Sequence, residues 1–320
     1  MEPKIFIDGR EGTTGLQIYQ RLGGRKDIRL LSIEESLRKD PRARKEKINE
    51  ADIVFLCLPD QAAREAVGFL ENENTRIIDA STAHRTDPAW VYGFPELSPQ
   101  QRQAVSGARF VANPGCHATG FISIVAPLVK MGLLPVDYPL VCHSLTGYSG
   151  GGKSMIAEYE EPRKDRRLNS PREYGISLHH KHLPEMTYVT GISQSPVFCP
   201  IVADYYAGMA TTVLLHNHLL GRGVTARSLH EALESYYGGE AFVKVLPFAG
   251  EGIIDRRGFI ESNACVGTNR LEIIVSGHEE QTMIVSRFDN LGKGASGAAV
   301  QNMNLMLGLD QTAGLLDRLL

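Results

Sequence analysis

Residues 5–15 read Ile5-Phe6-Ile7-Asp8-Gly9-Arg10-Glu11-Gly12-Thr13-Thr14-Gly15, a short apolar run followed by three glycines at every third position. The apolar run predicts a strand and the residues from 14 onward predict a helix, so the glycines lie at a strand-to-helix turn. Glycine allows a tight turn and a close approach of the backbone to a ligand, while the helix N-terminus attracts phosphate. Although the spacing is GxxGxxG and not the commoner GxGxxG, the segment predicts a dinucleotide-binding turn.

The first hundred residues continue the same alternation of β-rich runs and helical stretches. Strands are predicted at 4–8, 28–33, 53–58, 76–80 and 110–112, and helices at 14–22 and 62–70. Helices of this length between strands form right-handed crossovers, which align the strands in parallel. The first half is therefore predicted to be α/β, with a Rossmann-type doubly wound parallel sheet.

The pattern changes after a predicted helix that begins near Cys116. Longer β-rich runs follow at 140–145, 187–192, 207–216, 241–246, 270–276 and 281–288, and a final helix begins near Ala295. The last two runs predict a hairpin that turns at 277–280. The second half is therefore predicted to be an α+β catalytic domain with a mixed, largely antiparallel sheet.

Composition places the chain among ordinary folded proteins. It has 320 residues, 42% of them hydrophobic, and a formal net charge of -3, which disfavours nucleic acid and anionic membranes as partners. The five cysteines stand singly, which is typical of reduced thiols. The apolar run before Asp8 has only three residues, 5–7, so no signal-peptide core is expected and the predicted location is the cytoplasm.

The end of the second predicted strand bears on the choice of dinucleotide. A carboxylate there would accept hydrogen bonds from the ribose of NAD and repel the 2′-phosphate of NADP, whereas this chain has Ser32. Arg10, Arg38 and Lys39 add positive charge, although Glu34 and Glu35 lie beside them. The sequence therefore favours NADP. The residues predicted to bind it in this half of the chain are Gly9, Gly12, Thr13, Thr14, Gly15 and Ser32.

Cys116 is the cysteine that the sequence predicts to be a nucleophile. Asn113-Pro114-Gly115 predicts a turn after a strand, and Cys116 then opens a helix, where the helix N-terminus favours the thiolate. The other four cysteines lie in or beside apolar runs without a turn signal and are predicted to be buried and inert: Cys57, Cys142, Cys199 and Cys265.

A nucleophilic thiol needs a partner that takes its proton, and three histidines are candidates: His179, His180 and His182. In an extended segment His180 and His182 would share one face and His179 would point away. Glu185 is the carboxylate expected to orient one of the rings. No second pair of Cys or His residues at the spacing of metal ligands accompanies these histidines, so no metal site is predicted. The residues alone leave the choice between His180 and His182 open.

The chain resembles the short form of the N-acetyl-gamma-glutamyl-phosphate reductases, a family of the semialdehyde dehydrogenase superfamily that acts in arginine biosynthesis. The segments that carry the resemblance include Ala-Asn-Pro-Gly-Cys at 112–116, Gly-Tyr-Ser-Gly-Gly-Gly-Lys at 147–153, His-Lys-His-Leu-Pro-Glu at 180–185 and Asp-Asn-Leu-Gly-Lys-Gly-Ala at 289–295. The resemblance spans nearly the whole chain. Two positions depart from the family pattern, because His117 stands where tyrosine is usual and His179 adds a further ring.

The resemblance implies an NADP-binding Rossmann domain of residues 1–115 plus 290–320 and a catalytic and oligomerisation domain of residues 116–289. It further implies that Cys116 attacks an acyl phosphate, that NADPH reduces the resulting thioester, and that the semialdehyde is then released. His180 corresponds to the acid/base of the family, and Asn290 lies in the stretch that contacts the nicotinamide end. A homo-oligomer, either dimer or tetramer, is expected.

Other functions remain open at the level of sequence. Aspartate-semialdehyde dehydrogenase or another acyl-phosphate reductase would use the same thioester chemistry on a different substrate. A non-enzymatic NADP-binding sensor would keep the glycine turn without needing an activated thiol and a histidine. A cysteine hydrolase would not need a dinucleotide turn.

Overall fold

The computed structural model describes residues 2–255 and 257–315 of the chain. These residues form two compact units. The first comprises residues 2–115 and 295–315, and the second comprises residues 116–255 and 257–294. Residues 290–294, which the sequence analysis assigns to the nucleotide-binding domain, lie in the second unit.

The first unit is built on a parallel sheet, as predicted. Its described strands are β1 (Lys4–Asp8), β2 (Arg29–Leu31), β3 (Ile53–Leu56), β4 (Arg76–Asp79), β5 (Val91–Tyr92) and β6 (Phe110–Ala112). They lie in the order β2-β1-β3-β4-β6-β5, and every pairing is parallel. All four residues of β3 are buried, because helices cover both faces of a doubly wound sheet.

Local sequence signals place the helices of the first unit, which are α1 (Thr13–Leu22), α2 (Pro41–Glu50), α3 (Asp60–Val67), α4 (Pro99–Gly107) and, near the end of the chain, α9 (Gly297–Met306). The Asp40 carboxylate caps α2 by accepting hydrogen bonds from the N–H groups of Arg42 and Ala43, and Ser98 caps α4 in the same way. Helices α2 and α4 were not predicted from the sequence. Helix α9 packs against α1, α4 and β4.

The second unit is built on a mixed sheet. Its described strands are β7 (Val141–Gly147), β8 (Arg172–Glu173), β9 (Val197–Ala203), β10 (Met209–His216), β11 (Val243–Val245), β12 (Leu271–Gly277) and β13 (Gln281–Phe288). They lie in the order β11-β12-β13-β10-β7-β9-β8. Two of the pairings, β11 with β12 and β7 with β9, are parallel and the other four are antiparallel, so the predicted fold class is confirmed.

The helices of the second unit are α5 (Cys116–Lys130), α6 (Gly152–Glu160), α7 (Leu183–Thr190) and α8 (Ala226–Tyr236). Helices α5 and α8 pack against β10, β12 and β13, and so bury one face of the sheet. The prediction of a strand at 187–192 is wrong, because residues 187–190 form the end of α7 and Gly191 caps it. Pro184 at the start of that helix and Gly191 at its left-handed C-terminal cap, with φ of 72°, are the signals that define it.

Candidate active site

The glycine turn of the first unit can be built only from glycine at two of its positions. Gly9 has a φ of +83°, and a Cβ atom there would lie 2.3 Å from the carbonyl oxygen of Cys57. A Cβ atom at Gly15 would lie 2.5 Å from the carbonyl oxygen of Gly9. The turn therefore packs tightly against itself and β3 before α1 begins at Thr13, which directs the N-terminus of α1 at any ligand held in the turn.

A cavity of about 450 Å³ lies beside this turn within the first unit. Gly9, Gly12 and Ser32 line it, whereas Thr13, Thr14 and Gly15 form the adjoining first turn of α1. The size suits an extended organic ligand, and the packing of the glycines leaves the backbone open to a pyrophosphate. The residues present therefore fit a dinucleotide.

Charged side chains line the same cavity: Asp8, Arg10, Glu11, Glu35, Arg38, Lys39 and Arg44. Arg44 is held in place, because its Nη2 donates to the buried Asp8 carboxylate at 2.9 Å; burial nevertheless raises the pKa of Asp8. Arg38 pairs with the exposed Glu35 at 2.9 Å, which offsets the negative charge of this carboxylate. Arg10 stacks over the Tyr19 ring at 3.6 Å. The cavity wall around Ser32 thus carries cations that can face a phosphate.

The turn that precedes Cys116 is anchored within the first unit by Asn113. Its backbone N–H donates to the Asp79 carbonyl at 2.8 Å, and its carbonyl accepts from Arg85 Nε at 3.0 Å. Its side chain accepts a hydrogen bond from Asn302 Nδ2 at 3.2 Å and donates one to the carbonyl of Ala295 at 3.0 Å. Four bonds on one residue fix the chain where it leaves β6.

Cys116 is the first residue of α5 and is half-buried. A helix N-terminus stabilises a thiolate at this position. Gly294 lies close by, since a Cβ atom added to it would lie 3.0 Å from the Cβ of Cys116. By contrast, burial raises the pKa of the Cys57 and Cys142 thiols and raises the pKa of Cys265 to about 12, so these three stay protonated.

Three imidazoles meet in the second unit. The centroid of the His117 ring lies 5.5 Å from that of His180 and 5.7 Å from that of His182, and the latter two are 4.8 Å apart. His179 is exposed, with Nδ1 2.8 Å from the Ser177 carbonyl oxygen. Residues 180–183 form a turn and not the predicted extended stretch, because Leu183 N–H donates to the His180 carbonyl at 3.0 Å.

His180 is held so that one ring nitrogen remains for chemistry. The backbone N–H of His182 donates to His180 Nδ1 at 3.2 Å, which leaves Nε2. Burial, with a contribution from Lys181, lowers the pKa of His180 to about 4, so the ring is neutral at physiological pH. Glu185 is buried in the first turn of α7, and its predicted contact with His180 stays a prediction.

Asn290 is buried within the second unit. Its Oδ1 accepts a hydrogen bond from the backbone N–H of Gly208 at 2.8 Å, and its Nδ2 donates to Ser149 Oγ at 3.0 Å. The side chain thereby ties together three loops of this unit. Its predicted contact with the cofactor stays a prediction.

Four side chains at this site were given no role by the sequence analysis: His117, Ser144, Tyr174 and Thr211. His117 is buried, and its ring nitrogens lie 2.7 Å from Ser144 Oγ and 2.6 Å from the Tyr174 hydroxyl. The departure at position 117 was the one visible signal, because the other three residues come from distant parts of the chain. In the described residues, no group of three or more His, Cys, Asp or Glu side chains is arranged to hold a metal ion.

Comparison with known protein families agrees with this arrangement. Residues 7–105 match the family described as the NAD binding domain of semialdehyde dehydrogenase, and residues 116–290 match its dimerisation domain. The two matches define the class of the protein as a semialdehyde dehydrogenase.

The relatives narrow the class further. The chain is 46% identical over 320 residues to N-acetyl-gamma-glutamyl-phosphate reductase 2 of Nostoc sp., covering 98% of this chain and 99% of the relative. It is 48% identical over 314 residues to the protein of the same name in Pseudomonas putida, with the same coverage. The chain therefore belongs to the N-acetyl-gamma-glutamyl-phosphate reductase family, and the resemblance seen in the sequence is confirmed.

Solved structures share the fold at low sequence identity. Aspartate semialdehyde dehydrogenase II of Vibrio cholerae, complexed with ASA, gives a TM-score of 0.71 at 14% identity and covers 96% of this chain and 99% of its own. A probable aspartate-semialdehyde dehydrogenase of Pseudomonas aeruginosa gives a TM-score of 0.72 at 16% identity, with the same coverage.

None of the helices in residues 2–255 and 257–315 combines the length and hydropathy that a bilayer crossing needs.

Proposed function

We propose that the protein reduces N-acetyl-glutamyl 5-phosphate to N-acetyl-glutamate 5-semialdehyde and phosphate with NADPH, as a step of arginine biosynthesis. The observation that carries the proposal is a half-buried thiol at the start of α5, directly followed by a histidine whose ring contacts His180. Kinship with named reductases supports the choice of substrate. A protein that only senses NADP would not need a thiol paired with a histidine. An enzyme is therefore the better explanation of this pair.

The chemistry begins at Cys116. Its Sγ attacks the carbonyl carbon of the acyl phosphate, the bond from that carbon to the phosphate oxygen breaks, and phosphate leaves behind a thioester. NADPH, when bound in the cavity lined by Gly9, Gly12 and Ser32, supplies the hydride for reduction. As the C–S bond of the resulting hemithioacetal breaks, its hydroxyl proton returns to His180, the semialdehyde is released and Sγ is again a thiolate.

Protons in this cycle are assigned to Nε2 of His180. This atom takes the proton of the Cys116 thiol before attack, for which the neutral ring must carry its N–H on Nδ1 and give up the hydrogen bond from the His182 N–H. It then supplies a proton to the substrate oxygen when the thioester is reduced. A neutral ring at physiological pH suits the first task. We assign NADP binding to residues 1–115 with 290–320 and catalysis and oligomerisation to residues 116–289, with Asn290 at their border.

The test is phosphate-dependent reduction of NADP by the purified protein, which runs the reaction in reverse. We expect kcat/KM for N-acetyl-glutamate semialdehyde to exceed that for aspartate semialdehyde at least about a hundredfold, because a site that pairs an acetamido group leaves polar atoms unpaired with the smaller substrate. Preference for aspartate semialdehyde would reassign the substrate while keeping the thioester chemistry.

The cofactor preference is a separate prediction. We expect kcat/KM with NADP to exceed that with NAD by about tenfold or more, since Ser32 cannot repel a 2′-phosphate. Replacing Ser32→Asp should lower or reverse this ratio, because a carboxylate repels the phosphate and accepts from the ribose hydroxyls. Ser36→Asp is the matched control, since it adds the same charge at an exposed position outside the cavity lining.

Steady-state kinetics of the three proteins with both cofactors decides this prediction. A wild-type ratio near one would mean that Glu35 reaches the ribose despite its pairing with Arg38. An unchanged ratio in Ser32→Asp would place the adenosine ribose elsewhere in the cavity.

We also propose that two copies of the chain associate through the open face of the second sheet. Register places Leu214 of β10 opposite Val141 of β7, and Val141 opposite Val197 of β9. These three aliphatic side chains are 50%, 43% and 52% exposed, so they form a continuous apolar row on the face opposite α5 and α8. A row of this kind is typical of an interface.

Leu214→Glu should convert the oligomer to monomer, because it puts a charge in the apolar row. Light scattering coupled to gel filtration gives the mass. Leu37→Glu, the same change at an exposed leucine of the first unit, should leave the mass unchanged. An oligomer that survives Leu214→Glu would contradict the proposed face.

We further propose a cytoplasmic location, which five free cysteines support.

A further inference from the structure

Four side chains of the second unit form a continuous line of hydrogen bonds. Thr211 Oγ1 lies 2.9 Å from Ser144 Oγ, which lies 2.7 Å from His117 Nδ1, and His117 Nε2 lies 2.6 Å from the Tyr174 hydroxyl. Ser144 and Thr211 are register partners on β7 and β10, so the sheet fixes one end of the line. We call these four residues the relay.

Exposure changes along the relay in one direction. Thr211 and Ser144 are 0% exposed and His117 is 3% exposed, whereas Tyr174 is half-buried. The relay therefore starts inside the protein and opens at Tyr174. The Tyr174 ring lies 6.0 Å, centroid to centroid, from the ring of His180, so the open end lies at the histidine cluster.

His117 is uncharged within the relay. Burial, with smaller contributions from His180 and Lys181, lowers the pKa of His117 to about 3. A neutral imidazole has one N–H and one lone pair, so it donates at one nitrogen and accepts at the other. The relay can then run in either direction, but all four members must run the same way.

One direction presents a proton to the site. Thr211 donates to Ser144, Ser144 donates to His117 Nδ1, and His117 Nε2–H donates to the oxygen of Tyr174, whose own O–H then points onward. Each donor polarises the next one, which strengthens the last. Burial and the neighbouring Cys116 both raise the pKa of Tyr174, so the phenol keeps its proton and can donate.

We propose that Tyr174 donates a hydrogen bond to the substrate beside Cys116 and that His117 is the positioning residue that presents its hydroxyl. The acceptor is the carbonyl oxygen, on which negative charge develops when Sγ attacks and again when the thioester is reduced. This role rests on the proposed function. It explains why a histidine directly after the nucleophile is buried and hydrogen-bonded at both ring nitrogens.

Removing only the hydroxyl, by Tyr174→Phe, should lower kcat about tenfold to a hundredfold and leave KM for NADP within about twofold, as for one lost donor to a developing oxyanion. Tyr237→Phe is the matched control. Its hydroxyl is also buried and donates to the carbonyl of Ser123 in α5, so it tests whether losing any phenol bond to that helix is enough. We expect it to retain wild-type kcat.

Two conservative changes at position 117 separate positioning from packing. The amide nitrogen of glutamine overlies Nε2 of histidine and that of asparagine overlies Nδ1, so His117→Gln keeps a donor for Tyr174 and His117→Asn keeps only the contact with Ser144. We expect His117→Gln to retain most of kcat and His117→Asn to match Tyr174→Phe. The double variant His117→Asn/Tyr174→Phe should be no slower than Tyr174→Phe alone, because both changes remove one interaction.

Additive losses in the double variant, or wild-type kcat in Tyr174→Phe, would overturn the proposal. The ring nitrogens of His117 provide a readout that needs no turnover: ¹⁵N NMR should show a neutral ring at pH 6 whose Nε2 signal shifts in Tyr174→Phe but not in Tyr237→Phe. An unshifted signal would show that His117 Nε2 is not hydrogen-bonded to Tyr174, which would contradict the relay. A wild-type protein inactive on the semialdehyde, with the shift present, would contradict the proposed function while leaving the relay in place.

Discussion

Cys116→Ser should abolish reductase activity, with less than about 1% of wild-type kcat remaining. A serine hydroxyl at the start of α5 stays protonated under conditions in which the helix N-terminus favours a thiolate, so the attacking group is lost. A hundredfold loss corresponds to about 3 kcal/mol of transition-state stabilisation, a modest requirement for removal of a covalent nucleophile. The measurement is phosphate-dependent NADP reduction by N-acetyl-glutamate semialdehyde.

NADP affinity is expected to be unchanged in this variant, because the cavity beside the glycine turn is built from residues of the first unit. Titration calorimetry with NADP therefore shows whether the first unit of the variant is folded. Cys199→Ser is the matched control, since Cys199 is another half-buried thiol of the second unit and lies in β9. Residual activity above about 1% in Cys116→Ser, or loss of activity in Cys199→Ser, would remove Cys116 from its assigned role.

The sequence predicts the first unit well because its signals are local. An apolar run, a glycine turn and an amphipathic helix recur within short distances, and parallel pairing follows from the length of the crossovers. Helices whose main sequence signal is an N-terminal capping residue were predicted less well. Helix α2 consists mostly of charged residues and so lacks a clear apolar pattern. Its clearest signals are two single residues, the Asp40 cap and Pro41.

Helix α7 shows how tertiary structure can override local preference. Residues 187–190 read Thr-Tyr-Val-Thr, which are β-branched or aromatic and favour a strand. In the structure these residues are helical, with Met186 and Thr190 buried and Gly191 ending the helix. The contacts of α7 with α5 supply the stability that propensity does not. Pro184 and Gly191 were present as signals but were outweighed by the β-branched run.

The candidate site divides in the same way. Cys116 and the histidine segment stand out because a turn, a helix start and clustered rings are visible in consecutive residues. The relay could not be predicted, because Ser144 and Thr211 meet only through the register of β7 with β10. A shift of that register by one residue would place the two side chains on opposite faces of the sheet. Sequence alone does not fix a register between strands so far apart.

His180→Asn should lower kcat about a hundredfold or more, the lower part of the range for general acid/base catalysis, with little change in NADP affinity. Asparagine keeps a polar side chain in the half-buried position but cannot exchange a proton at Nε2. Since the pKa of His180 is lowered to about 4, the wild-type kcat/KM should fall only as the pH drops through about 4, where the ring becomes charged. Initial rates across pH should show that limb in the wild type and lack it in His180→Asn.

Stability must be followed in the same experiment, because His180 and His117 both have a pKa below the ordinary value of 6.5. The unfolded chain binds more protons than the folded one below that pH, so the free energy of unfolding decreases as pH falls from about 6.5. Circular dichroism at each pH separates unfolding from loss of catalysis. His182→Asn is the paired variant, and we expect it to act mainly on KM, as for a ring that contacts substrate without moving its proton. The reverse pattern, with His182→Asn losing kcat and His180→Asn turning over at the wild-type rate, would transfer the acid/base role to His182.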